Sequence, residues 1–219
     1  MNIDPDAYTV LCYGDSNTYG ARPDEDGRFP ADQRWTGRLQ ALLGDRYAVI
    51  EEGLNGRTTD LDYADRPGRN GRAYLGPCLA SHNPLDAVVL MLGSNDVKTE
   101  FGRSAADVAG ALGGLLDDIA EYAVDRAGRT PTIVLVSPVE MDDTRPLYAE
   151  WTATEFDAAS VAASRGFAGA IGRLAEDRGV VFVAASSAAE PGDDGLHLGG
   201  ESHRRLGELL ARTIAELFA

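Results

Sequence analysis

Ser16 lies in the segment Gly14-Asp15-Ser16-Asn17, directly after the apolar run at residues 9–13. A serine hydroxyl becomes a nucleophile only when a base removes its proton, and this base is usually a histidine oriented by a carboxylate. His197 follows Asp194 by three positions across a turn that contains glycine. Such an offset can bring both side chains to the same side. The three residues therefore indicate a serine nucleophile, its general base and an orienting carboxylate.

Two further histidines and a second aspartate are alternatives to this assignment. His82 is predicted in a loop before Pro84, and His203 in the polar start of the last helix, so either could be a surface residue. Asp193 competes with Asp194 as the carboxylate, and the three-residue spacing favours Asp194.

The oxyanion formed when serine attacks an ester needs preorganised hydrogen-bond donors. The candidate donors are the backbone N–H groups of Ser16 and Gly56 and the side-chain amide of Asn95, each of which follows an apolar run. Asn95 could instead be a local cap or turn residue. Asp15 and Asp96 are interpreted as structural, with Asp96 bonding nearby backbone.

Five apolar, β-rich runs must position these residues, and they are predicted strands at 9–13, 47–50, 87–92, 132–136 and 180–183. Helical spacing predicts helices at 34–43, from Ser104 with Asp107 as its capping partner, at about 154–177 and at about 200–218. Alternating strands and helices favour one parallel sheet covered on both faces. We therefore predict a three-layer α/β/α, flavodoxin-like fold with five strands in a single domain, residues 1–219.

Ligands of open parallel sheets gather at the carboxyl ends of the strands, so the candidate residues could meet at one edge. The long polar connections at 60–70 and 141–150 are predicted to shape the substrate site. Trp35 and Trp151 are interpreted as packing residues, although one could line the pocket. The scattered histidines, the lack of an HExxH or Asp-rich loop and the lack of a P-loop lead us to expect no metal or cofactor.

Four segments resemble the sequence blocks of the SGNH (GDSL-type) hydrolases, in the same order and spacing: Gly14-Asp15-Ser16, Gly56, Gly93-Ser94-Asn95-Asp96 and Asp194-Gly195-Leu196-His197. The resemblance covers nearly the whole chain. It implies a serine esterase with Ser16 as nucleophile and first oxyanion donor. It also implies that Gly56 and Asn95 are further donors, His197 the base and Asp194 its carboxylate.

Three other segments look like the bacterial arylesterase and acyltransferase branch: Arg34-Trp35-Thr36-Gly37, Glu51-Glu52-Gly53-Leu54 and Arg57-Thr58-Thr59. This similarity implies small acetyl or aryl esters as substrates, acyl transfer to alcohols in some members and ring-like homo-oligomers in others. Asn17 stands where a leucine is common, and we expect it to change the polarity of the pocket wall. Asn55-Gly56 also departs from the branch, which puts transferase activity in question.

Other functions fit the same residues. A carbohydrate O-deacetylase and a lysophospholipase or thioesterase are alternatives within the family. Outside the enzymes, a small-ligand-binding module on a flavodoxin-like sheet would need no triad.

The chain has a formal net charge of −15 over 219 residues, so nucleic acid is not an expected partner. No apolar run approaches the roughly 20 residues that span a bilayer. Residues 1–9 lack the basic start of a signal peptide, so we expect a cytoplasmic protein without a membrane partner. Lys98 is the only lysine. Such an acidic, lysine-poor surface suggests a halophilic source, and the alternative is a GC-rich genome that favours arginine codons. Equal stability in low and high salt would contradict the halophilic hypothesis.

Overall fold

Five parallel strands form one sheet in the computed structural model, which describes residues 4–219. They are β1 Tyr8–Gly14, β2 Tyr47–Gly53, β3 Ala87–Met91, β4 Thr132–Ser137 and β5 Val181–Ala184. Their order is β2-β1-β3-β4-β5. Each predicted strand overlaps one of these, and the predicted all-parallel five-stranded sheet is confirmed. Residues 1–3, on which the expectation about a signal peptide partly rests, lie outside the described residues.

The register brings the ends of the first three strands into one row. Gly14 at the end of β1 is level with Gly53 on β2 and with Met91 on β3. The loops that leave these strands therefore start side by side, and they carry Ser16, Gly56 and Asn95.

In the described part of the chain, seven α-helices surround the sheet: α1 Ser16–Tyr19, α2 Trp35–Leu43, α3 Gly71–His82, α4 Ala105–Tyr122, α5 Ala158–Ser164, α6 Phe167–Arg178 and α7 Gly200–Leu217. One core joins α3, α4, α5 and α6 to strand residues such as Leu11 and Leu90. A second core joins α2 and α7 to strand residues such as Val10 and Val89. Neighbouring strand residues point to opposite faces, so both faces of the sheet are buried. The predicted three layers are confirmed.

Helix α3 was not predicted. Its apolar face is short, and Gly71, Gly76 and Pro77 weaken the helical signal. The helix forms because the side chain of Asn70 accepts a hydrogen bond from the N–H of Ala73, and because its inner face enters the first core. The prediction that His82 lies in a loop is wrong, since His82 is the last residue of this helix.

The single helix predicted at about 154–177 is also wrong. The structure has a π-helical turn at Tyr148–Thr152, then α5 and α6. Asp157 and Ser160 form a reciprocal capping box that starts α5. The helical conformation is interrupted between α5 and α6, at Gly166. A Cβ atom at Gly166 would lie 2.9 Å from the Cβ of Ala105. By contrast, the capping box predicted for Ser104 and Asp107 is present at the start of α4.

Among residues 4–219, no helix combines the length and the apolar character needed to cross a membrane.

Candidate active site

Ser16 is the first residue of α1 and stands directly beyond the end of β1. Asp15 caps this short helix, because its Oδ1 accepts the N–H of Asn17 at 2.9 Å. Gly14 has no room for a side chain, since a Cβ atom there would lie 2.1 Å from Oγ1 of Thr18. The close approach of α1 to β1 thus requires a glycine at position 14. The same close approach fixes the position of the Ser16 hydroxyl.

The structure brings Ser16, His197 and Asp194 together. Nε2 of His197 lies 2.9 Å from Oγ of Ser16, and Nδ1 lies 2.5 Å from Oδ2 of Asp194. A carboxylate can only accept hydrogen bonds, so Nδ1 carries the imidazole proton and Nε2 can accept the serine proton. The three side chains form one continuous hydrogen-bonded chain with the polarity that proton removal from Ser16 requires.

Asp194 is buried and held by its own loop. Its Oδ1 accepts the N–H groups of Leu196 at 2.9 Å and His197 at 2.8 Å. Asp193, the alternative carboxylate, is exposed. Within residues 4–219 its backbone oxygen accepts the N–H of Leu147, and its side chain has no hydrogen bond. The geometry therefore favours Asp194.

Asn17 connects the loop that carries His197 to helix α1, which carries Ser16, by two hydrogen bonds. Its Oδ1 accepts the N–H of Leu198 at 2.9 Å, and its Nδ2 donates to the carbonyl of Leu196 at 3.3 Å. These two residues flank His197. The expectation that Asn17 changes the pocket wall is wrong, because its side chain is buried and does not line the cleft. This contact could not be predicted from the sequence, because it joins residues 179 and 181 positions apart.

Gly56 and Asn95 line the same cleft as Ser16 and His197. Gly56 has φ +76°, a left-handed conformation that favours glycine. Nδ2 of Asn95 donates to the carbonyl of Arg57 at 3.1 Å, which leaves its second N–H for another acceptor. Within residues 4–219, the backbone N–H groups of Ser16 and Gly56 donate to no protein atom. All three predicted donors thus have an N–H that a ligand could use.

Arg57 joins the ends of β1 and β2 beneath these donors. Its guanidinium is buried, donates to the carbonyl oxygens of Gly14 at 2.9 Å and Glu52, and lies over the ring of Tyr13 at 4.2 Å. The residues around Arg57 do not predict this role, because its partners lie on two different strands. These hydrogen bonds of Arg57 hold the turn that contains Gly56 against the ends of the two strands.

Asp96 links two loops of the site. Burial is the largest effect on its pKa and raises it to about 6, against hydrogen bonds from Thr59 and Arg103. The N–H of Thr59 donates at 3.0 Å, and Nη1 of Arg103 lies 3.1 Å away. Asp96 thus accepts a backbone N–H, as predicted for a structural residue, but the donor Thr59 lies 37 positions away along the chain. Asp15 is buried as well, and burial raises its pKa to about 6.

The cleft in front of Ser16 has a volume of about 370 Å³. The connection at 60–70 contributes Arg66 and Arg69 to its wall, and Trp151 follows the connection at 141–150. Trp151 thus lines the cleft, whereas Trp35 is buried and donates from Nε1 to the carbonyl of Asn17 at 3.0 Å.

The only lysine also belongs to this wall. Nζ of Lys98 lies 2.7 Å from Oε2 of Glu155, and Arg66 binds the other oxygen of the same carboxylate. Burial alone would raise the pKa of Glu155, but the hydrogen bonds from the two cations outweigh it and lower this pKa.

His203 is fully buried, which contradicts the expectation of a surface residue. Its Nδ1 accepts the N–H of Trp35 at 3.3 Å, and its Nε2 has no partner within residues 4–219. Burial chiefly lowers its pKa to about 3, with smaller effects from His197 and Arg34. His203 is therefore neutral in the folded protein. The hydroxyl of Ser16 is bonded to His197 and not to His203, so the geometry gives His203 no role as its base.

We expect this histidine to destabilise the protein in acid. In the unfolded chain it binds a proton below its ordinary pKa near 6.5, whereas in the folded chain it does so only near pH 3. Stability is therefore lost as the pH falls below 6.5, by about 1.4 kcal/mol per pH unit from this group. Urea unfolding of the wild type and His203→Gln between pH 6.5 and 4.5 measures the difference.

The glutamine variant should lose stability less steeply, and equal slopes would contradict the prediction. Asp15 and Asp96 act in the opposite direction, because their raised pKa values favour the folded state as the pH falls. They are present in both proteins and cancel in the comparison. His82→Gln, at a partly exposed ring, is the matched control.

One group of possible metal ligands occurs in the described part of the chain, outside the cleft lining. The donor atoms of Glu52, Cys78 and His82 lie within 4.8 Å of one another. This group is not apparent from the amino-acid pattern, because no helix is predicted at α3. Nε2 of His82 lies 3.2 Å from Oε1 of Glu52, and burial raises the pKa of the Cys78 thiol to about 12. His82 and Glu52 therefore pair with each other, and the Cys78 thiol lies beside them.

The model of the GDSL-like lipase/acylhydrolase family matches residues 12–205 of the chain. The solved structure of Est24, a carbohydrate acetylesterase from Sinorhizobium meliloti, is 38% identical, with a TM-score of 0.88 over 96% of this chain and 99% of that chain. The inhibitor-bound aryl esterase of M. smegmatis is 36% identical, with a TM-score of 0.89 over 96% of this chain and 100% of that chain. No curated protein sequence matches the chain significantly.

Proposed function

Because the chain belongs to the GDSL-like lipase/acylhydrolase family and is a carboxylic ester hydrolase, we propose that Ser16 is the nucleophile with which it cleaves small esters. The observation that carries this proposal is the hydrogen-bonded chain from Ser16 through His197 to Asp194. His197 is the general base, and Asp194 orients it.

The reaction proceeds in two steps. Nε2 of His197 takes the proton of Ser16 as Oγ attacks the ester carbonyl, and the buried charge of Asp194 stabilises the imidazolium that forms. The imidazolium then protonates the departing alcohol, which leaves an acyl-Ser16 intermediate. Water attacks this intermediate with His197 again as base, which releases the acid and restores the serine.

The oxyanion of both tetrahedral intermediates is held by the N–H groups of Ser16 and Gly56 and by Nδ2 of Asn95. The free N–H groups at these positions support this assignment. Arg57 holds the turn of Gly56 in place before the reaction begins, so no reorganisation is needed when charge develops.

Acetyl and aryl esters are the proposed substrates. The small cleft supports this choice, because it offers both polar and apolar side chains. The carbohydrate acetylesterase and the aryl esterase among the similar structures support it as well. A carbohydrate O-deacetylase is the second candidate, favoured by the similarity to Est24. Five further expectations stay predictions: acyl transfer to alcohols, a homo-oligomer, a cytoplasmic location, a halophilic source and the single-domain boundary 1–219.

Asn95→Ala tests the proposed oxyanion hole. We expect kcat to fall roughly 10²–10³-fold, because one preorganised donor to the transition state is lost. KM should change much less, since the ground-state carbonyl carries less charge. The measurement is the steady-state hydrolysis of p-nitrophenyl acetate.

Asn55→Ala is the matched control, because Asn55 lines the cleft beside Gly56 and has no proposed role in the reaction. A loss below threefold in Asn95→Ala would remove Asn95 from the oxyanion hole.

A further inference from the structure

The wall of the cleft contains four basic side chains, and three of them have acidic partners. Arg22 binds Asp24 and Glu25, while Arg66 and Lys98 share Glu155. Arg69 forms no ion pair with any residue between 4 and 219. The nearest acceptor of its guanidinium is the carbonyl of Pro67, 3.4 Å from Nη1. Arg69 is thus an uncompensated cation in a chain whose net charge is −15.

Arg69 also lies beside the proposed oxyanion hole. Its Cδ and Nε atoms are 3.9 Å from the place that a Cβ atom on Gly56 would occupy. Both residues line the cleft that contains Ser16. A group bound to this guanidinium would therefore belong to a molecule whose other end can reach the nucleophile.

The backbone that carries Arg69 is fixed. Its carbonyl accepts the N–H of Thr58 at 3.0 Å, Thr58 forms a parallel bridge with Asn70, and Asn70 caps α3. The anchored backbone fixes where the Arg69 side chain starts, so no loop has to be ordered when it binds a ligand, which favours recognition. Its planar guanidinium matches the two oxygens of a carboxylate.

The acidic residues of the cleft leave this charge largely unopposed. Glu25 is paired with Arg22 at 2.8 Å, and Glu155 is paired with Lys98 and Arg66. Asp26 is exposed to solvent, where water and salt screen its field, whereas Arg69 is half-buried.

We propose that Arg69 binds a carboxylate carried by the ester substrate, so that the enzyme prefers esters with an anionic group near the scissile bond. This inference rests on the proposed function of Ser16. The anionic group can belong to the alcohol part, as in an ester of a hydroxy acid, or to the acyl part, as in the monoester of a dicarboxylic acid. Arg69 is then a specificity-determining residue.

The test compares Arg69→Gln with the wild type on two matched pairs of esters. The first pair is 4-acetoxybenzoate and its methyl ester, which place the carboxylate on the alcohol part. The second pair is monoethyl and diethyl succinate, which place it on the acyl part. For each ester, kcat/KM of the wild type is divided by that of the variant, so that the intrinsic reactivity of the ester cancels.

We expect this ratio to be at least about tenfold larger for the anionic member of one pair, as the loss of a charge-assisted hydrogen bond implies. The change should be chiefly in KM and should shrink at high salt. Arg69→Lys should fall between the wild type and Arg69→Gln, because it keeps the charge without the planar fork. Equal ratios for the anionic and neutral members of both pairs would overturn the inference.

Arg212→Gln is the matched control, since it removes the same charge from α7, outside the cleft. Arg212→Gln should not favour the neutral member of either ester pair. An effect equal to that of Arg69→Gln would show that the net charge of the protein, and not a contact with Arg69, causes the preference, and it would overturn the inference. The proposed function is tested separately, because hydrolysis of the neutral esters must be lost in Ser16→Ala whatever Arg69 does.

Discussion

Replacing Ser16 by alanine is expected to lower the turnover of p-nitrophenyl acetate by about 10⁶-fold, as in other serine hydrolases that lose their nucleophile. The variant keeps the cleft, the oxyanion donors and the pair of His197 and Asp194. It lacks the only atom that can form the acyl intermediate. The residual rate would come from substrate binding and oxyanion stabilisation alone.

The Ser16→Ala protein should fold normally, because within residues 4–219 the side-chain oxygen that it loses has a single hydrogen bond, to His197. Circular dichroism and the melting temperature check this point. Ser187→Ala is the matched control, since Ser187 is an exposed serine that donates to the carbonyl of Ala184. Unchanged hydrolysis in Ser16→Ala would refute the proposed mechanism.

The second large effect is expected for Asp194→Ala, which should lower kcat by roughly 10⁴-fold. Without this carboxylate, the proton of His197 is no longer held on Nδ1, and the imidazolium of the transition state loses its buried counter-charge. The N–H groups of Leu196 and His197 also lose their acceptor. Steady-state kinetics on p-nitrophenyl acetate measure the loss.

The neighbouring Asp193→Ala provides an internal control. Asp193 is exposed, so its removal should change kcat by no more than a few fold. A larger loss for Asp193→Ala than for Asp194→Ala would reassign the carboxylate of the triad.

The strands and the candidate site residues could be predicted because their signals are local. A short apolar run ending in glycine is typical of a buried parallel strand, and the position directly after it is where chemistry concentrates. Ser16, Gly56 and Asn95 were identified in this way, and His197 by its spacing from Asp194. The helices were predicted less well. Helix α3 contains glycine and proline and is held by Asn70 and by tertiary packing, neither of which produces helical periodicity.

The contacts that hold the site could not be predicted for a different reason. Asn17 reaches the backbone on both sides of His197, and Arg57 reaches the ends of two strands. His203 is buried between elements far apart in the chain, although its neighbours along the chain are polar. Such contacts depend on which loops lie next to each other in the folded protein. The residue types of a single loop do not predict its neighbours.

The amino-acid sequence by itself determined which side chains can react and which strands carry them, because hydrophobic pattern and residue chemistry are properties of short segments. Only the tertiary structure decided which residues meet. It joined Ser16 to His197 across 181 positions. It placed Nδ1 of His197 2.5 Å from Asp194, the carboxylate that the three-residue spacing already favoured. It left Arg69 without an acidic partner among residues 4–219. The physical reason is that hydrogen bonds, burial and ion pairing are set by distances of a few ångströms, which arise only when the strand ends align.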